Sequence, residues 1–126
     1  MGKGYLIDSN VIIDFFNKSL PENGRDLLFK IDPNISVVTF VEVLAKNNAD
    51  KGEVEKIKRF CEGANIYNID KSLVPDVINL RRYYKIKLPD ALIAATALYN
   101  DLILVTRNVA DFKNIIGLEL INPYTI

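Results

Sequence analysis

The chain has 126 residues, nearly half of them apolar and a quarter charged, and its sixteen basic and sixteen acidic side chains cancel. That size and balance fit one globular domain over residues 1–126 rather than a disordered or fibrous chain, and they give no global positive field for nucleic acid. There is no histidine and a single cysteine, Cys61, which removes the commonest general base, the serine-type triads, most zinc sites and any internal disulfide. Any catalysis must therefore come from carboxylates, lysines, hydroxyls and a bound ion. One unpaired cysteine fits a reducing, cytoplasmic location. No apolar run reaches the length of a membrane span. Met1-Gly2-Lys3-Gly4 leads directly into the first strand, so no signal peptide is read, and Gly2 carries only a weak myristoylation motif.

In chain order, Tyr5-Leu6-Ile7 reads as a short buried strand that ends abruptly in Asp8. Ser9 and Asn10 are suitable N-caps for the apolar helix that follows, Val11 to Phe16. Asn17 to Asn23, with Pro21 and nearby Gly24, is a turn cluster, and Arg25 to Ile31 resumes a helical pattern that Asp32-Pro33-Asn34 breaks. Ile35 to Val38 is a second buried strand, and Thr39 would cap a helix from Phe40 to about Asn47. A polar junction, Asn48 to Gly52, precedes an amphipathic helix from Glu53 to Cys61. Ile66 to Ile69 alternates like a strand. Lys71 or Ser72 opens a helix with Leu73, Val74, Val77, Ile78 and Leu80 on its inner side, and Pro75 is tolerable in its first turn. Leu88-Pro89-Asp90 introduces an apolar helix to Tyr99. Leu102 to Val105 and Leu118 to Ile121 are the last strands, separated by Thr106-Arg107-Asn108 and Asp111-Phe112. Alternating strands and helices predict a three-layer α/β fold, with a central parallel sheet of four to five strands flanked by helices.

Four acids fall where such a sheet gathers ligands. Asp8 ends the first strand, Glu42 and Asp90 sit in the first turns of helices, and Asp111 follows the strand ending at Val105. In a parallel sheet the strand ends and the following helix N-termini share one edge. Singly, Glu42 and Asp90 have a plainer role, because acids in a first helical turn are favoured by up to about 1 kcal/mol. Their neighbours are apolar, however: Phe40, Val41, Val43 and Leu44 around one, Leu88-Pro89 and Ala91-Leu92-Ile93 around the other. Desolvated, clustered carboxylates repel, and a hard divalent cation such as Mg²⁺ or Mn²⁺ relieves that cost.

Ile7-Asp8-Ser9-Asn10, the lone Glu42, Leu88-Pro89-Asp90-Ala91-Leu92-Ile93-Ala94-Ala95 and Leu104-Val105-Thr106-Arg107-Asn108-Val109-Ala110-Asp111-Phe112 resemble the PIN-domain nucleases, in particular the toxin subunits of VapBC-type toxin–antitoxin pairs. The resemblance covers essentially the whole chain. It implies a PIN-like fold in which Asp8, Glu42 and Asp90 ligate the metal. The fourth ligand is Asp111, or else Asn108, which stands where many relatives have an acid. Ser9, Asn10, Thr106 and Asn108 would hold the carboxylates in register, alongside their roles in turns and caps. The implied reaction is hydrolysis of an RNA phosphodiester by in-line attack of water, assisted by Mg²⁺ or Mn²⁺ and a carboxylate. The implied partners are a small antitoxin and a second copy of the chain.

Arg81-Arg82-Tyr83-Tyr84-Lys85-Ile86-Lys87, just before Asp90, combines cations with rings. Arg81, Arg82, Lys85 and Lys87 are candidates for gripping RNA phosphates, unless the tyrosines pack into the core and the cations merely solvate a helix end. Phe15, Phe16 and Phe29 fit either core or a partner groove, and they are read as core. Two other functions share these residues: a PIN-domain protein of RNA processing, and an inactive PIN domain that only binds RNA or protein. A phosphoryl-accepting receiver domain fits poorly, since Asp8 is unpaired and Asn122-Pro123 offers no lysine after the last strand.

Overall fold

The computed structural model describes residues 3–46 and 50–126. Met1, Gly2, the end of the helix expected near Asn47 and the junction residues Asn48 and Ala49 lie outside them. The elements are β1 (Tyr5–Ile7), α1 (Ser9–Phe16), α2 (Glu22–Lys30), β2 (Pro33–Ser36), α3 (Val37–Ala45), α4 (Lys51–Gly63), β3 (Asn65–Tyr67), a 3₁₀ turn (Lys71–Leu73), α5 (Val74–Tyr84), α6 (Leu88–Tyr99), β4 (Ile103–Val105), α7 (Val109–Phe112) and β5 (Leu120–Ile121). Five strands form one parallel sheet in the order β3-β2-β1-β4-β5.

Alternation along each strand divides the interior in two. Leu6 and Leu104 face a core built with Leu80 of α5, Ala91, Ala94 and Ala95 of α6, and Phe112 of α7. Their strand neighbours Ile7 and Val105 face the other way, into a core with Val11 and Ile12 of α1, Val43 of α3, and Ile57 and Cys61 of α4. Three layers result, as the alternation of elements predicts. Burial pushes the Cys61 thiol up to about 11, so it stays protonated and serves as packing. Among the described residues no helix is long and apolar enough to cross a membrane.

Several boundaries differ from expectation, each for a local reason. β2 runs Pro33–Ser36 rather than Ile35–Val38, with proline tolerated as its first residue. Ser36, not Thr39, caps α3: its side chain accepts from the Val38 N–H at 3.1 Å, and this cap outweighs the strand preference of Val37 and Val38. Likewise Asp8 itself, not Ser9 or Asn10, caps α1. Starting α3 at Val37 puts Glu42 in its second turn, beyond the first turn expected from sequence. α5 turns Val74 and Ile78 outward, and Phe29 is 71 % exposed, although its ring edge meets Phe15. Phe15 and Phe16 pack against the α1–α4 core as expected. The strands near Leu102 and Leu118 begin one and two residues later than read, at Ile103 and Leu120.

The expected turn at Asn23-Gly24 is helix instead. Gly24 is there for contact: a Cβ on it would stand 2.2 Å from the Pro123 carbonyl oxygen, so α2 lies backbone to backbone against residues after β5. Gly24→Ala is therefore expected to destabilise the protein by about 1–3 kcal/mol through overpacking. The change occurs despite alanine's helix preference of about 1 kcal/mol over glycine. Urea unfolding measures the difference, and a gain in stability would refute the contact.

Candidate active site

The strand order places a topological switch point between β1 and β4, because the chain proceeds from β1 to β2 on one side and re-enters at β4 on the other. Crevices at the carboxyl ends of strands at such a point are where open α/β sheets bind ligands. Asp8 sits in this crevice. Its backbone N–H donates to the Val105 carbonyl at 2.9 Å, which ties the end of β1 to the end of β4.

The Asp8 side chain is nearly buried, at 6 % exposure. One carboxylate oxygen accepts from the Ser9 N–H at 2.8 Å, and the other accepts from the Thr106 hydroxyl at 2.8 Å. Thr106 is fully buried, and its hydroxyl oxygen accepts in turn from the Asn108 N–H at 3.0 Å. Two fixed donors hold the carboxylate in one orientation and leave further lone pairs for another partner. The local cause is the turn after β4: Thr106 donates its own N–H to the Ile121 carbonyl at 3.0 Å, which extends the sheet one residue past the strand.

The remaining acids arrive from three helices. Glu42 is half-buried on α3, Asp90 is half-buried in the first turn of α6, and Asp111 is exposed on α7. Their convergence is registered at Asp90. Burial, followed by the negative charges of Asp8, Asp111 and Glu42, pushes its carboxyl above the ordinary carboxylate value, while Lys87 pulls it down. Asp8, Asp111 and Glu42 thus all lie within electrostatic reach of Asp90. No three acids among the described residues are already drawn close enough to clasp a cation.

Beside the acids opens a polar cleft of about 560 Å³, whose lining includes Lys85, Lys87, Asp90, Asn108, Asp111 and Asn114. Lys85 reaches it from a left-handed backbone position, φ 54°, that ends α5. Arg81 and Arg82 are exposed on the last turn of α5 but do not line the cleft. Tyr83 is 78 % exposed, whereas Tyr84 packs against the α5–α6 core and accepts from the Ile116 N–H at 3.3 Å, so core packing takes Tyr84 alone. Asn108 holds the N-cap position of α7 without a side-chain capping bond. Asn10 has a buried side-chain oxygen with no hydrogen-bond partner, and so does Thr39, one helical turn before Glu42.

Whether these residues suit a divalent cation can be judged from their chemistry. Every donor is a hard oxygen, the cluster's charge is negative, and one member, Asp90, is pushed above its normal pKa by burial and then by the others. Orphaned oxygens on Asn10 and Thr39 could receive the hydrogens of ordered waters. Mg²⁺ characteristically keeps several waters and takes only one or two carboxylates directly, so a closed cage of three is not required. The set fits. Sequence reasoning missed Asn114, which lies in an unremarkable run, and the long-range contacts of Asp14 and Tyr124 described below.

Residues 5–117 match the family model described as PIN domain. Among solved structures, a chain of a toxin–antitoxin complex from Klebsiella pneumoniae is 36 % identical with a TM-score of 0.78, covering 98 % of this chain and 100 % of its own. A chain of VapBC2 from Rickettsia felis, solved bound to a DNA fragment from its promoter, is 26 % identical, with a TM-score of 0.77 and coverage of 94 % and 97 %. DNA-bound VapBC from Salmonella typhimurium shares the fold at 21 % identity, with a TM-score of 0.80 over 97 % and 99 % of the two chains. A comparison with curated proteins returned no match.

Proposed function

Because the chain belongs to the PIN domain family, we propose that it is a Mg²⁺- or Mn²⁺-dependent endoribonuclease acting as the toxin of a type II toxin–antitoxin pair. Asp8, Glu42, Asp90 and Asp111 are its cation-binding acids. The observation that carries this reading is the fixed Asp8 carboxylate at the sheet's switch point, held by the Thr106 hydroxyl and the Ser9 N–H. Beside it, burial and then the charges of Asp8, Asp111 and Glu42 raise the Asp90 carboxyl. Asp111 is preferred to Asn108 as the fourth member because it supplies charge there.

When bound, the cation would supply Lewis acidity at the phosphate and make water a better nucleophile near neutral pH. The chain's own residues do the rest. Asp8, held by Ser9 and Thr106, keeps one ligand direction fixed. Lys85 and Lys87 present ammonium groups to the phosphates of a strand entering the cleft. With no histidine in the chain, the proton of the attacking water passes to a carboxylate oxygen, and Asp111 is the acid exposed to receive it. Arg81 and Arg82 lie farther out and would add long-range attraction.

A small antitoxin partner is part of the proposal, supported by the toxin–antitoxin complexes in which similar chains were solved. A basic side chain of that partner would neutralise the acids directly. Self-association as a dimer completes the reading. The test is cleavage of a panel of structured tRNAs by the purified protein with Mg²⁺ or Mn²⁺ and with excess chelator. Cleavage that needs the cation is expected, and cleavage that persists in chelator would sink the metal mechanism.

A further inference from the structure

Arg107 follows Thr106 in the turn that holds Asp8, yet its side chain is engaged elsewhere. Its Nη1 donates to Asp14 Oδ2 at 3.1 Å, and its guanidinium lies over the Tyr124 ring, 5.7 Å from the centroid. The Tyr124 hydroxyl donates to the same Asp14 oxygen. The Asp14 side chain is only 13 % exposed while that of Arg107 is 55 % exposed, so the carboxylate end of these contacts is sheltered and the guanidinium stays open to solvent on its outer side. Tyr124 is itself fixed: its N–H donates to the Asn122 side chain at 2.9 Å, its neighbour Pro123 abuts Gly24, and its ring packs against the α1–α4 core. Burial and the bond to Asp14 raise the phenol's pKa, which keeps it a donor.

These contacts close a circuit. Asp14 lies on α1, the helix that Asp8 caps; Arg107 joins Asp14 to the turn; and Thr106 joins the turn back to Asp8. A guanidinium placed over a ring and bonded to a carboxylate has less rotational freedom than a free one, so the residue between Thr106 and Asn108 is tethered from outside the cleft. We propose that Tyr124 is a positioning residue for the acid site: with Asp14 it immobilises Arg107, and through the 106–108 turn it sets the orientation of the Asp8 carboxylate. The brace draws on Tyr124, which lies beyond residue 117, where the family match ends. It rests on the cation-binding reading given above.

The test is Mn²⁺ affinity of the folded protein by calorimetry, in a cycle of Tyr124→Phe, Thr106→Val and the double variant, with urea midpoints measured alongside. Tyr124→Phe keeps the ring over Arg107 and removes only the hydroxyl. Its affinity is expected to fall about 10-fold, the lower end for an outer-shell partner of a metal ligand, and Thr106→Val to fall by about 10–100-fold. The double variant should bind no more weakly than Thr106→Val alone, because both act through one turn. A Tyr124→Phe protein with a lower urea midpoint and unchanged affinity would overturn the proposal, as would losses that multiply in the double variant. Absence of Mn²⁺ binding by the unaltered protein would overturn the cation-site reading and the brace with it.

Discussion

Asp90→Asn is expected to lose at least about 100-fold of cation-dependent RNA cleavage, the upper end of what even an outer-shell change costs a metal site, and at the same time to gain stability. Asparagine occupies nearly the same volume but cannot supply the charge that a hard cation needs. The gain follows from the repulsion. Burial and the charges of Asp8, Asp111 and Glu42 hold the Asp90 carboxyl above its ordinary value, so its ionised form is less favourable in the folded protein than in the unfolded chain. A carboxyl raised in this way opposes folding above its unfolded pKa, near 3.9, and ceases to do so once both states are protonated. Without divalent cations, the variant should therefore melt a few degrees above the original protein at pH 7. The difference should shrink toward zero as the pH falls below about 4. Scanning calorimetry in chelator across that range, paired with cleavage assays, checks both halves. A variant less stable at pH 7 would show that Asp90 is held by a favourable partner rather than strained by its neighbours.

Phe112→Ala should be the most damaging change to the fold. Phe112 is the largest side chain buried completely, and it packs into the α5–α6 core from a helix of only four residues. So short a helix has no stability of its own and is held by its anchor. Truncation is expected to cost about 3–5 kcal/mol, a large part of the ~5–15 kcal/mol that stabilises a typical domain. The urea midpoint should fall by on the order of 2 M. The comparison that gives this meaning is Ile57→Ala, in the α1–α4 core and far along the chain from α7, which should cost about 2–5 kcal/mol. At low temperature, where both variants remain folded, Ile57→Ala should retain its cleavage rate, while Phe112→Ala loses the placement of the adjacent Asp111. Equal rates in the two would show that α7 keeps its place without its anchor.

Local chemistry in the sequence is strong at Asp8, where an apolar run stops at an acid, and at Pro89-Asp90, where proline marks a helix start. Both acids stand where that reading puts them, and the parallel sheet follows from the order of elements. Glu42 was displaced by a contest between two local rules. Val37 and Val38 favour a strand, but a buried serine with a free N–H two residues ahead of it starts a helix sooner. Val74, Ile78 and Phe29 show the limit of helical spacing: apolar residues at compatible intervals span more than one face, and only the neighbouring elements decide which face is covered. The contacts of Asp14 with Arg107 and Tyr124 join residues 93 and 110 positions apart. No periodicity or motif joins such residues in one sequence.

The bond between Thr106 and Asp8 also spans most of the chain, 98 positions, because β1 lies at the middle of the sheet and pairs directly with β4. A contact so distant in sequence forms late, since the chain between its ends must be ordered or looped first. On the ribosome, Asp8 emerges many seconds of synthesis before Thr106, at about 5–20 residues per second, and through that interval its carboxylate lacks the hydroxyl that orients it. On the proposed ribonuclease reading, an enzyme assembled in this order would spare the RNAs engaged in making it until nearly all of it had been made.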